Sequence, residues 1–154
     1  MKVSLDAIDH AILRELQSDA RLSYSEIGRR VHISTPTAAE RVRRMEREGV
    51  ITGYHATVDP ARLGWDVRAL VRMTCYGPTC LLDDPSVATW PEVLRIDRLT
   101  GEECCELTVV CASMVAFGSL IDRLATHGTP QSSLVLSSIE SAGVEAPPTA
   151  VPDR

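Results

Sequence analysis

Three short amphipathic segments in the first 48 residues constrain this chain more than any other feature. Leu5, Ile8, Ile12, Leu13 and Leu16 recur at helical spacing and predict a helix over 5–18. Asp6 and Asp9 stand in its first turn, where the positive end of a helix favours acids. Ser23-Tyr24-Ser25-Glu26 is a capping box and opens a second helix over 23–31, with Ile27 and Val31 inward. After the break at His32-Ile33, Ser34 is a suitable N-cap for a third helix that runs to Glu48, where Gly49 ends it. Helix, helix, tight turn and helix within about 45 residues is the spacing of a helix-turn-helix.

The third helix has two unlike faces. Ala38, Val42 and Met45 share one side at i, i+4 and i+7. A turn of 100° per residue puts Pro36, Glu40, Arg43 and Arg47 opposite them, with Thr37 and Arg44 on one flank and Arg41 nearer the buried side. Glu40 can pair with Arg43 or Arg44, and Glu48 with Arg44, so the face by itself is compatible with a solvated surface. Its position after two shorter helices points to DNA. A major groove admits one helix, phosphates attract guanidinium groups, and base edges accept bidentate Arg contacts. Thr35, Pro36, Thr37 and Glu40 stand near the start of the helix, where bases are approached. Arg43, Arg44 and Arg47 divide between bases and phosphates, and Arg41 is left to anchor the fold by an ion pair. Net charge is −5, which alone argues against a nucleic-acid partner, but its distribution does not. Residues 1–64 hold 10 Lys/Arg against 9 Asp/Glu, and residues 65–154 hold 6 against 12. The acidity therefore belongs to the second half.

Val50 to Val58 has β character, with Gly53 as turn or bulge, and is expected to be a wing or exit strand. Domains are expected at 1–58 and 66–142, with a linker over 59–65. The second half reads as a strand at 66–76, an irregular or short helical piece at 79–89, strands at 92–99 and 103–111 about a turn at Thr100-Gly101, a helix at 113–127 and a strand at 131–140. That order is βαββαβ, so the fold class is α+β: a winged helix-turn-helix followed by a ferredoxin-like domain. The Pro/Ala-rich tail at 143–154 is expected to be mobile.

Leu5-Asp6-Ala7-Ile8-Asp9, Ile12 to Gln17, Arg21-Leu22-Ser23 and Glu26-Ile27 resemble the opening of the Lrp/AsnC, or feast-famine, regulators. Arg41 to Glu46, Gly49 to Tyr54, and Asp59-Pro60-Ala61-Arg62-Leu63-Gly64 resemble the end of their winged helix and their linker. Pro91-Glu92-Val93 and Leu99-Thr100-Gly101-Glu102 are similar to their effector domain. The resemblance implies transcription regulation of amino-acid metabolism genes, a double-stranded DNA partner, and homodimers that assemble further, often into octamers. It also implies an amino acid or related small molecule bound at a subunit interface near Thr100, Gly101 and Glu102. The family has Gly-Asp, an aromatic and another acid at that turn; here Glu102 stands for the Asp, and Glu103-Cys104-Cys105 do not match.

Cys75, Cys80, Cys104, Cys105 and Cys111 all lie in the second half. An odd number with two adjacent members suggests free buried thiols rather than a disulfide framework. Adjacent residues of one strand point to opposite faces, so Cys104 and Cys105 are expected not to share an ion, and two-residue zinc spacing is absent. No metal, cofactor or catalytic site is expected. The N-terminus lacks the apolar core of a signal peptide and no run of about 18 apolar residues occurs, so a cytoplasmic protein is expected, without a membrane partner. Two alternatives carry different functions. Some AsnC-like proteins resemble sirohaem decarboxylases, which would make the chain an enzyme, and the cysteines could instead make a regulator that answers to thiol oxidation or metal.

Overall fold

The computed structural model describes residues 3–75 and 80–139. The chain divides after Thr57 into two compact units. The first holds three helices: α1 (Ala7–Ser18), α2 (Tyr24–Arg30) and α3 (Thr35–Arg47). Each begins where its cap residue dictates. Asp6 and Asp9 cap each other's backbone amides at α1. Ser23 and Glu26 do the same at α2, and the Ser34 hydroxyl accepts from the Thr37 amide at α3. The tight turn before α3 needs one left-handed residue, supplied by His32 (φ 58°). Gly28 lets α2 approach that turn. A Cβ there would lie 2.7 Å from the Ile33 carbonyl oxygen. Ile12, Leu16, Ile27, Ala38, Val42 and Met45 fill the core between the helices.

The strand expected over 50–58 does not form. Gly49 takes φ +70°, and the amides of Val50 and Ile51 both bond to the Met45 carbonyl, which caps α3. Beyond them, residues 52–58 join no ladder among the described residues. β-forming residues make a strand only where a neighbouring strand accepts their hydrogen bonds.

The second unit is a four-stranded antiparallel sheet of β1 (Val67–Cys75), β2 (Val93–Arg98), β3 (Cys105–Cys111) and β4 (Gly128–Leu134), in the order β2-β3-β1-β4. This is the ferredoxin-like order. Its second crossover is α4 (Met114–Ala125), capped by Ser113 and burying Phe117, Leu120 and Leu124. Among the described residues its first holds two 3-10 turns, Leu81–Asp83 and Val87–Thr89, which drop Leu81 and Val87 into the core. Ala69, Val71 and Met73 of β1 and Cys105, Leu107, Val109 and Cys111 of β3 meet them from the sheet. β4 starts at Gly128, three residues before the expected 131, and Leu134 is its last residue. Gly128 lies so close to the Thr74 carbonyl that a Cβ would collide with it, and Pro130 is tolerated because β4 is an edge strand. The linker segment forms one 3-10 turn, Pro60–Leu63, capped by Asp59 and closed by Gly64. The tail expected over 143–154 lies outside the described residues.

The cysteines depart from expectation. Cys75 and Cys104 are joined as a disulfide, with Cα atoms 6.2 Å apart, while Cys80, Cys105 and Cys111 are free. The sulfurs of Cys104 and Cys105 lie 3.8 Å apart. Strand alternation does not separate them, because β3 begins only at Cys105 and Cys104 still belongs to the turn.

Candidate DNA-reading face and effector turn

Thr35, Pro36, Thr37, Glu40, Arg43 and Arg47 are all exposed on α3, opposite buried Ala38, Val42 and Met45. Pro36 sits in the first turn, where a missing amide hydrogen costs nothing. The Thr37 hydroxyl lies 2.7 Å from that of Ser34, so the cap also fixes a side chain of the outward face. Arg47 donates to Glu40 at 3.0 Å, a contact between two open side chains that solvent or a phosphate can replace. Arg43 lies over the Tyr24 ring, 5.8 Å from its centroid, which steers the guanidinium without neutralising it.

Arg44 behaves differently from its two neighbours. Its Nη2 donates to Asp9 at 2.5 Å, and its Nε lies 4.0 Å from Glu48. Arg41 donates to Asp6 at 2.7 Å and to Asp9 at 2.9 Å. Asp9 is 1% exposed, so one sealed carboxylate takes two guanidinium groups and ties the start of α1 to the middle of α3. The Asp9 amide, followed by the Arg41 guanidinium, holds the Asp6 carboxyl down at about 2. The anchoring role expected of Arg41 is present, and Arg44 shares it. Sequence reasoning missed Asp9. The available signal was the pair of acids at i and i+3 in a first turn, matched by arginines at i and i+3 on the third helix. At the far end of α3 the Tyr54 hydroxyl donates to Glu46 at 2.8 Å, and burial, then Glu46, pushes that phenol up to about 12.

In the second unit, Thr100, Gly101 and Glu102 are exposed on the β2–β3 turn. The Leu99 amide bonds to the Cys104 carbonyl at 2.9 Å and closes it, and Gly101 takes φ +114°, which a side chain would resist. The three residues share this turn but do not line the open cavity of about 360 Å³ walled by Leu81, Leu82, Asp84, Pro85, Ala88 and residues 93–96. Within one chain the turn is an open loop offering backbone amides and one carboxylate.

Comparison with known proteins agrees with both units. Residues 5–46 match the AsnC-type helix-turn-helix domain, and residues 85–144 match the Lrp/AsnC ligand binding domain. The chain is 37% identical to the uncharacterised HTH-type transcriptional regulator YezC of Bacillus subtilis, over 87% of this chain and 95% of that one. It is similar to the solved structure of B. subtilis LrpC, with a TM-score of 0.85 and 30% identity over 90% of this chain and 99% of that one. It is similar too to the transcriptional regulator NMB0573 in complex with L-methionine from Neisseria meningitidis, with a TM-score of 0.82 and 32% identity over 90% and 94% of the two chains. These relatives are regulators, and nothing among them favours the decarboxylase alternative. With its helix-turn-helix, its ferredoxin-like sheet and both family domains in order, the chain belongs to the Lrp/AsnC family of helix-turn-helix transcriptional regulators.

Proposed function

We propose that residues 1–58 bind double-stranded DNA with the outward face of α3 in the major groove, and that residues 66–142 dimerise and answer to an amino acid. The observation that carries this is the division of labour on α3. Arg41 and Arg44 are spent on Asp9 and hold the helix in place, while Thr35, Pro36, Thr37, Glu40, Arg43 and Arg47 are left on the open side. A rigid helix with pre-placed donors is what groove reading needs. In this reading Arg44 acts by positioning, and Arg43 and Arg47 touch DNA. The test is fluorescence anisotropy on a genomic fragment the protein retains. Arg43→Ala with Arg47→Ala is expected to abolish binding at physiological salt and to flatten the log-affinity against log-salt slope by about 0.9 for each phosphate no longer neutralised. Wild-type affinity with an unchanged slope would overturn the reading.

The effector reading places Thr100, Gly101 and Glu102 at a subunit interface. The turn's amides suit a carboxylate and Glu102 suits an ammonium, so a free amino acid fits its chemistry. The complex of the Neisseria relative with L-methionine makes methionine the first ligand to try. A thermal-shift screen of the amino acids on wild type and Glu102→Ala tests it. A ligand that stabilises both chains equally places the site elsewhere. At least a dimer, a palindromic operator and a cytoplasmic location follow from the same reading. No helix among the described residues is long and apolar enough to cross a membrane.

A further inference from the structure

Four cysteines from three chain segments converge in the second unit. Cys75 ends β1, Cys80 caps the first 3-10 turn, Cys104 closes the β2–β3 turn, and Cys105 opens β3. Their sulfurs all lie within 4.8 Å of one another. Cys75 and Cys80 are 3.1 Å apart, and Cys104 and Cys105 are 3.8 Å apart. Cys105 is buried and the other three are half-buried, so the cluster sits near the surface of the unit. Cys111, at the other end of β3, takes no part. If these thiols served only as small apolar side chains, nothing would require four of the five sulfurs to meet at one point.

We propose that these four thiols form a binding site for one thiophilic metal ion, with Zn²⁺ as its natural occupant. A tetrahedral ion with Zn–S bonds of about 2.3 Å holds its sulfurs about 3.8 Å apart, which falls within the spread seen here. An all-sulfur set selects soft and borderline ions over magnesium or calcium, which require oxygen. The sequence spacing conceals the site, because the sheet register does what a two-residue spacing does elsewhere. Pairing Met73 with Cys105 brings the end of β1 beside the start of β3.

The disulfide between Cys75 and Cys104 is the oxidised form of the same cluster. Reduction by a dithiol transfers two electrons and two protons and leaves the reductant as a disulfide, which returns four thiols. Binding a divalent ion then releases four protons and gives a tetrathiolate complex of net charge −2. The ion ties the end of β1, the 3-10 turn and the start of β3 together. Two of its ligands directly follow Glu103, so occupancy fixes the exit of the Thr100–Glu102 turn. The site stands on its own geometry, whether or not α3 reads DNA.

The experiment is a cobalt titration of the full chain, reduced with a phosphine and kept under nitrogen. One Co²⁺ per chain is expected, with the sulfur-to-cobalt charge-transfer band and the visible bands of tetrahedral cobalt, and one equivalent of Zn²⁺ should bleach them. Losing a ligand costs at least what losing an outer-shell partner costs, so Cys80→Ser and Cys104→Ser should each weaken cobalt binding by about tenfold or more. Cys111→Ala should leave stoichiometry and spectrum as in wild type, and circular dichroism of the metal-free chains checks their folds. In the unsubstituted chain, Zn²⁺ should protect Cys75, Cys80 and Cys104 from alkylation, and a chelator should remove that protection. No charge-transfer band in the reduced wild type, octahedral cobalt, or alkylation unaffected by zinc would each overturn the proposal. So would Cys111→Ala weakening binding as much as Cys80→Ser.

Discussion

Asp9, 1% exposed and held by two arginines, gives the residue scale its clearest test. Replacing both Arg41 and Arg44 with Ala leaves a sealed carboxylate unpaired, and the expected loss is about 3 kcal/mol or more by urea unfolding. Arg43→Ala and Arg47→Ala alter only open side chains and should change stability by no more than about 0.5 kcal/mol while removing DNA binding. If the first pair proves as mild as the second, the anchoring role of Arg44 is wrong. Asp6 makes a pH prediction. Its carboxyl falls from 3.8 to about 2 on folding, so its contribution is present above 3.8 and is lost as pH falls toward 2. Asp6→Asn should therefore be less stable than wild type at neutral pH and lose less helicity on acidification through that window. Acid titration by circular dichroism reads both. These roles were half legible in the sequence. The acids at positions 6 and 9 announce a helix start, but only the packing of α1 on α3 shows which arginines they claim.

At the element scale, hydrogen-bond supply explains which expectations held. All three N-terminal helices start at the residue whose side chain can cap them, because a cap is a local bond between positions three apart. Ser34→Ala should cost about 1 kcal/mol by urea unfolding, through the loss of that bond to the Thr37 amide. Gly28→Ala should cost about 1–3 kcal/mol in the same measurement, since the added methyl meets the Ile33 carbonyl. Strands are less local. The 50–58 segment carries β-forming residues and pairs with no strand among the described residues, whereas Gly128, Thr129 and Pro130 look like turn residues and pair with Cys75, Thr74 and Met73. Register with β1 decides for β4, and no window of sequence contains it.

On the scale of the whole molecule, the sheet of the second unit has one face covered by α4 and the 3-10 turns. Arg72 and Glu106 pair across strands on the other, and Leu70 and Thr108 lie beside them. A second copy on that face or along an edge would account for the dimer proposed here, and light scattering at micromolar concentration should report at least twice the 16.8 kDa of one chain. A monomer would count against it. Leu107 is fully buried at the centre of the core between sheet and helix. Leu107→Ala should cost about 2–5 kcal/mol in thermal or urea unfolding.

The sequence by itself determined the helix-turn-helix, the order of the four strands with one helix before the last, and the outward face of α3, because caps, helical periodicity and strand alternation are short-range physics. It also carried enough ordered motifs to mark the family. Tertiary structure alone decided that Arg44 joins Arg41 on Asp9, that 50–58 pairs with no described strand, and that Thr100, Gly101 and Glu102 lie on an open turn away from the cavity at Leu81 and Leu82. It alone decided that Cys75, Cys80, Cys104 and Cys105 meet. Each of these depends on which distant residue arrives opposite, and pairing between β1 and β3 joins positions more than thirty residues apart. Spacing along the chain does not encode that distance; the closing of the sheet does.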